Sequence, residues 1–161
     1  MTRKPQVTIY TDGACKPNPG PGAWAAVLRF GTREQVLTGS EKRTTNNRME
    51  LQAAINALRA LDGDHRVDLH TDSTYLQRGI SEWLTRWRES GWRRSNGDPV
   101  LNADLWRELH ELTLKHEVHW HWVRGHSADA LNRQADRLAY EALPQVRLAD
   151  SSSGRSNRDR G

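Results

Sequence analysis

Three features of the sequence predict an α/β fold built on a mixed sheet. Strand-like segments joined by tight turns fill the first third of the chain, helical and strand-like periods alternate after it, and two strand segments end in the same dipeptide. A meander of strands followed by alternating helices and strands describes a sheet with both antiparallel and parallel pairs and helices packed on it.

The elements follow in order. QVTIYTD (6–12) alternates, with Val7, Ile9 and Thr11 on one face. AWAAVLRF (23–30) and EQVLTGSEKR (34–43), separated by the short GTR, form a hairpin. MELQAAINALRAL (49–61) places Leu51, Ala54, Ile55, Leu58 and Leu61 on one helical face, and the following Gly-Asp ends it. RVDLHTD (66–72) is a fourth strand and EVHWHWV (117–123) a fifth. Helical pieces are expected over 74–80, 82–90 and 102–115, and a last helix over about 129–142 carries the stripe Leu131, Ala135, Leu138, Ala139 and Ala142. No segment repeats at solenoid length.

At 161 residues the chain suits one domain with a core of its own. That domain is expected over residues 1–143, followed by a disordered basic and polar tail, 144–161, whose four arginines and two aspartates carry half of the net charge of +4. The plainer reading of the tail is a solvated extension, and nonspecific affinity for nucleic acid is the alternative. No apolar run approaches the roughly 18 residues that span a bilayer. MTRKPQV lacks the apolar stretch of a signal peptide, and the single Cys15 suits a reducing compartment, so a cytoplasmic protein is expected. The basic balance points weakly to a polyanionic partner. Of seven tryptophans, Trp83, Trp87 and Trp92 share a segment with Arg78, Arg86, Arg88, Arg93 and Arg94, and the other four are assigned to the core.

VTIYTD (7–12) and VDLHTD (67–72) superimpose residue for residue. A helix between them suits parallel pairing, and shared parity then brings Asp12 and Asp72 out side by side at the edge where ligands bind in open α/β sheets. One Asp at a strand end is usually a turn former, whereas two at matched positions suggest a site. A stiff Gly/Pro stretch, GACKPNPGPG, follows Asp12 at once. Glu50 lies in the first turn of the connecting helix, where Asn47 and Glu50 resemble a capping box; at the margin of the apolar stripe it can also reach the strand ends. Asp136 flanks the stripe of the last helix one turn after Asn132, and its default is a surface acid paired with Arg133. If Asp12, Glu50, Asp72 and Asp136 converge, they need a counter-charge, and a hard cation such as Mg²⁺ or Mn²⁺ fits an all-oxygen set. His116, His119 and His121 alternate with tryptophans as strand faces and do not make a zinc site. Carboxylate-held magnesium usually acts on phosphates, so the site points to phosphodiester hydrolysis.

TDGACKPNPGPGAWAAVL, RTTNNRMELQAAINAL, HTDSTYLQRGI, GWRRSNGDPVLNADLW and WVRGHSADALNRQADRLA resemble the successive signatures of type 1 ribonuclease H over about residues 6–141. The resemblance implies a five-stranded mixed sheet in order 3-2-1-4-5 with helices on both faces. It also implies endonucleolytic cleavage of the RNA strand of RNA–DNA hybrids, leaving 3′-hydroxyl and 5′-phosphate ends, as in the removal of primers and R-loops. It assigns the metal-binding and catalytic carboxylates to Asp12, Glu50, Asp72 and Asp136, with two Mg²⁺ ions when substrate is bound and Mn²⁺ as a substitute. The family's loop histidine falls on His126, with a part in proton transfer or product release. Cys15, Asn18, Thr45, Asn47 and Asn132 match substrate-lining positions, while Trp83, Arg88, Trp92, Arg93 and Arg94 fall in a basic protrusion that grips the DNA strand. Trp87 and Trp92 can equally pack the protrusion onto the domain. The chain departs from relatives in using arginines and Glu89 where lysines are common, Thr74 where glutamine is common, and Leu131 where an acid is common. A monomer with no obligate protein partner is expected. A noncatalytic hybrid-binding module is the alternative, and it would have lost at least one carboxylate.

Overall fold

The computed structural model describes residues 4–124 and 130–144. Five strands, β1 (Gln6–Cys15), β2 (Gly20–Phe30), β3 (Arg33–Thr44), β4 (Arg66–Thr71) and β5 (Glu117–Trp122), form one sheet in order β3-β2-β1-β4-β5. The hairpins are antiparallel, whereas β1–β4 and β4–β5 are parallel. The helices are α1 (Asn46–Arg59), α2 (Thr74–Arg78), α3 (Leu84–Glu89), α4 (Ala103–Leu114) and α5 (Ala130–Glu141). No helix among the described residues is long and apolar enough to cross a membrane.

The two faces of the sheet are covered differently. Val7, Ile9, Leu28, Val67 and Leu69 pack against Leu51, Ile55 and Leu58 of α1 and Trp106 and Leu109 of α4 in the main core. Tyr10 and Val27, of the opposite parity, pack against Leu131, Ala135 and Leu138 of α5. Each apolar stripe is thus buried against the parity of strand residue that faces it. Trp106 is fully buried, and Trp24, Trp120 and Trp122 are half-buried against the core.

Three sequence expectations are corrected. β1 does not stop at Asp12: its parallel ladder to β4 reaches Tyr10↔His70, but antiparallel pairing with β2 carries it on to Cys15↔Gly22. α1 starts earlier than Met49, and its cap is Thr45, whose hydroxyl accepts from Arg48 N at 3.2 Å, so Asn47 is no cap and Glu50 lies beyond the first turn. The pieces over 74–90 run on without a break through a π-helical turn at Gly79–Trp83. There a Cβ on Gly79 would stand 2.1 Å from Trp106 Cη2, so the absence of a side chain lets the indole pack on the backbone. Gly13, next to Asp12, also serves the fold: a Cβ there would lie 2.6 Å from Glu50 N, so its absence lets α1 lie close on β1.

Candidate active site

The aligned register of β1 and β4 sets the first two acids. With Tyr10 opposite His70, Asp12 and Asp72 fall two residues further along neighbouring strands, on the α5 side. Glu50 comes from the other layer, carried inward because α1 rests on Gly13. One carboxylate oxygen from each of Asp12, Glu50 and Asp72 lies within 4.8 Å of the others. Asp12 and Glu50 are buried, at 6% and 5% exposure, and Asp72 is half-buried. Asp136, exposed on α5 one residue past the buried Ala135, shares a side-chain hydrogen bond with Asp12. Of the four acids that the sequence singled out, Asp12, Glu50 and Asp72 form the cluster, and Asp136 stands beside Asp12.

Their electrostatics are unfavourable without a counter-charge. Burial, then repulsion from Glu50, the hydrogen bond with Asp136 and the charges of Asp72 and Asp136 push the Asp12 carboxyl up to about 10. Burial and the neighbouring Asp72 and Asp136 likewise hold Glu50 well above the usual carboxylate range, although it accepts a hydrogen bond from the Gly13 backbone. Glu50 Oε1 is buried with no hydrogen-bond partner among the described residues. An orphaned buried carboxylate oxygen is costly, and a cation with oxygen ligands supplies both the missing contact and the missing charge. The donor set fits a hard divalent ion.

The histidines of β5 and the one before it have partners within the fold. His119 meets Glu117 at 2.7 Å, His121 meets Asp68 at 2.9 Å, and His116 accepts from the His65 backbone at 3.1 Å. His126 lies outside the described residues.

The substrate-lining positions divide by what they touch. Asn18 accepts from Asn46 N at 3.2 Å, tying the proline-rich loop to the start of α1, next to the half-buried Asn47. The Cys15 thiol donates to Pro17 O in the adjoining loop at 3.2 Å, and burial pushes its pKa up. Thr45 spends its hydroxyl on the cap, and Asn132 is only 4% exposed. In the segment after α2, Trp87 and Trp92 pack against the core. Trp83 sits over Trp87 at 5.5 Å with the Arg78 guanidinium 5.1 Å from its ring. Arg88, Arg93 and Arg94 are exposed, and Arg86, Trp87, Ser90, Arg93 and Arg94 border a cavity of about 390 Å³.

Residues 4–144 match the family model described as RNase H. The chain belongs to the RNase H family. A Ribonuclease H of Phenylobacterium zucineum is 52% identical over 150 residues, which cover 93% of this chain and 98% of that protein. One of Alkalilimnicola ehrlichii is 54% identical over 143 residues, 89% of this chain and 98% of its own. Among solved structures, LC9-RNase H1, described as a type 1 RNase H with the type 2 active-site motif, is 31% identical with a TM-score of 0.80, covering 91% of this chain and 75% of that one. This RNase H chain is accordingly an enzyme, a nuclease, and its sheet order is the one its family resemblance implied. Sequence reading missed one group beside the site: Arg48, Tyr75, Asn102 and Asp104, joined by hydrogen bonds across three elements. No local pattern pairs residues so far apart in the chain.

Proposed function

We propose that this chain hydrolyses the RNA strand of RNA–DNA hybrids endonucleolytically, leaving 3′-hydroxyl and 5′-phosphate ends. The observation that carries the reading is the convergence of Asp12, Glu50 and Asp72 with an unpartnered buried oxygen on Glu50. Asp12, Glu50, Asp72 and Asp136 would hold Mg²⁺, as two ions with substrate bound, and Mn²⁺ is a possible substitute. When bound, such ions neutralise the developing charge on the attacking and leaving oxygens of an in-line displacement.

The chain's own residues supply the rest. Water attacks phosphorus, the bond from phosphorus to O3′ breaks, and the leaving oxygen takes up a proton. His126, matched to the family's loop histidine, is assigned to proton transfer or product release. Asn47, at the start of α1, and Asn18, in the loop between β1 and β2 that is tied to it, face the strand bearing 2′-hydroxyls, the groups that distinguish RNA from DNA. Trp83 stacks against the sugar edge of the DNA strand, and Arg88, Arg93 and Arg94 meet its phosphates whatever the sequence. Trp92 acts from below, as packing for the protrusion. The domain of residues 1–143 carries the activity as a cytoplasmic monomer, on primers and R-loops; the tail expected after it falls, from residue 145 on, outside the described residues.

The test is cleavage of end-labelled RNA in a hybrid, beside single-stranded RNA, RNA duplex and DNA duplex, with Mg²⁺ or EDTA. Mg²⁺-dependent cutting of RNA in the hybrid alone is expected. Salt-sensitive binding without cutting in any metal would favour a binding module instead.

A further inference from the structure

Arg48 lies two residues before Glu50 in α1 and reaches across to α4. Its guanidinium grips Asp104 of α4 with both nitrogens, at 2.9 and 3.2 Å, and donates to Asn102 Oδ1 at 3.1 Å. Asn102 Nδ2 in turn donates to the Tyr75 hydroxyl of α2 at 3.0 Å, which also accepts from Trp106 Nε1 at 3.0 Å. The Tyr75 ring then meets Trp83 edge-on at 5.9 Å. A continuous chain of polar and ring contacts thus links the start of α1 to the outermost tryptophan of the basic segment.

The same network holds one end of the arginine loop. Asn102 has φ of +60° and Trp92 a φ of +66°, so non-glycine residues in the left-handed region bracket residues 93–101. Such residues persist where the surroundings over-determine them. At the Trp92 end, Trp92 N bonds Trp87 O at 2.7 Å and Val100 N bonds Trp92 O at 2.9 Å. At the Asn102 end, Leu105 N and Trp106 N bond Asn102 O at 3.0 Å, and the side chain is held by Arg48 and Tyr75. The loop bearing Arg93 and Arg94 is closed on itself, with Arg94 N bonded to Asp98 O at 2.7 Å and Gly97 N to Arg94 O at 2.9 Å, and this network ties its Asn102 end to α1.

We propose that Arg48, Asp104 and Tyr75 are positioning residues, forming a polar strut that sets the distance between the start of α1 and the protrusion to the width of the duplex. This rests on the reading above, in which α1 addresses the RNA strand and Trp83 the DNA strand. A duplex engages both at once only if their separation is fixed in advance, so the strut acts on affinity for the duplex and leaves the carboxylates alone.

A double-mutant cycle of Asp104→Asn with Trp83→Ala on a long hybrid tests it. Asp104→Asn is expected to raise KM about fivefold, the scale of coupling between contacting sites, with kcat nearly unchanged. In the Trp83→Ala background it should raise KM hardly further, because the second point of contact is already gone. The same KM factor in both backgrounds would overturn the strut, as would an unchanged KM for Asp104→Asn. Trp83→Ala alone leaving KM unchanged would instead sink the DNA-strand reading, and the strut with it. Tyr75→Phe removes one oxygen and no volume, and must repeat the pattern. It decides the matter if Asp104→Asn fails to fold, as judged by circular dichroism.

Discussion

Asp12 is where the charge balance of the site is most exposed to experiment. Its carboxyl is raised from 3.8 to about 10, chiefly by burial and then by Glu50, and Glu50 is raised by burial and Asp72. Between those two pH values the folded metal-free chain holds more protons than the unfolded chain. Stability therefore falls as pH rises across that window, because ν of the unfolded state minus ν of the native state is negative. A bound divalent cation favours the ionised acids and cancels the slope. Melting temperatures in EDTA should thus decline from about pH 5 to about pH 9 relative to those in Mg²⁺, with the gap widest at the alkaline end. A gap that stays constant or narrows with pH would contradict this account of the four acids.

At the scale of elements, the site depends on how closely α1 lies on β1. Gly13 has no room for a Cβ, which would stand 2.6 Å from Glu50 N and 2.7 Å from Met49 C, both backbone atoms that no rotamer change can move. Gly13→Ala must lift the helix, and Glu50 with it. Overpacking of this kind costs about 1–3 kcal/mol, which lowers the melting temperature. The larger effect is on chemistry, since a shift of about 1 Å in a catalytic group costs on the order of a hundredfold in rate. Steady-state kinetics on hybrid should show that loss mainly in kcat. Full activity in a folded Gly13→Ala protein would mean that the approach of α1 does not position Glu50. The basic segment shows the same dependence of one element on another: its π-helical turn at Gly79–Trp83 is packed on Trp106 of α4.

Across the whole molecule, what was legible in the sequence was what local pattern encodes. The matched Thr-Asp endings of two strands with a helix between them implied a parallel, in-phase pair, and Tyr10 does lie opposite His70. The apolar stripes of α1 and α5 marked the helices that pack on the sheet, and their margins carried Glu50 and Asp136. What stayed hidden was set by contacts distant along the chain. The extension of β1 past Asp12 comes from its partner β2, and the helix cap at Thr45 from a choice among several capping residues in TTNN. The reason for Gly13 is a helix backbone that no window around it contains. The strut of Arg48, Asp104 and Tyr75 joins residues that only the fold makes neighbours. The carboxylate cluster itself is the common product of sheet register and helix packing, so one substitution at its centre probes both. The most direct measurement is hybrid binding and single-turnover cleavage by Asp12→Asn in Mg²⁺. A folded protein that binds hybrid about as well as the parent and has lost nearly all cleavage is the predicted result; cleavage comparable to the parent would contradict the assignment of these acids to catalysis.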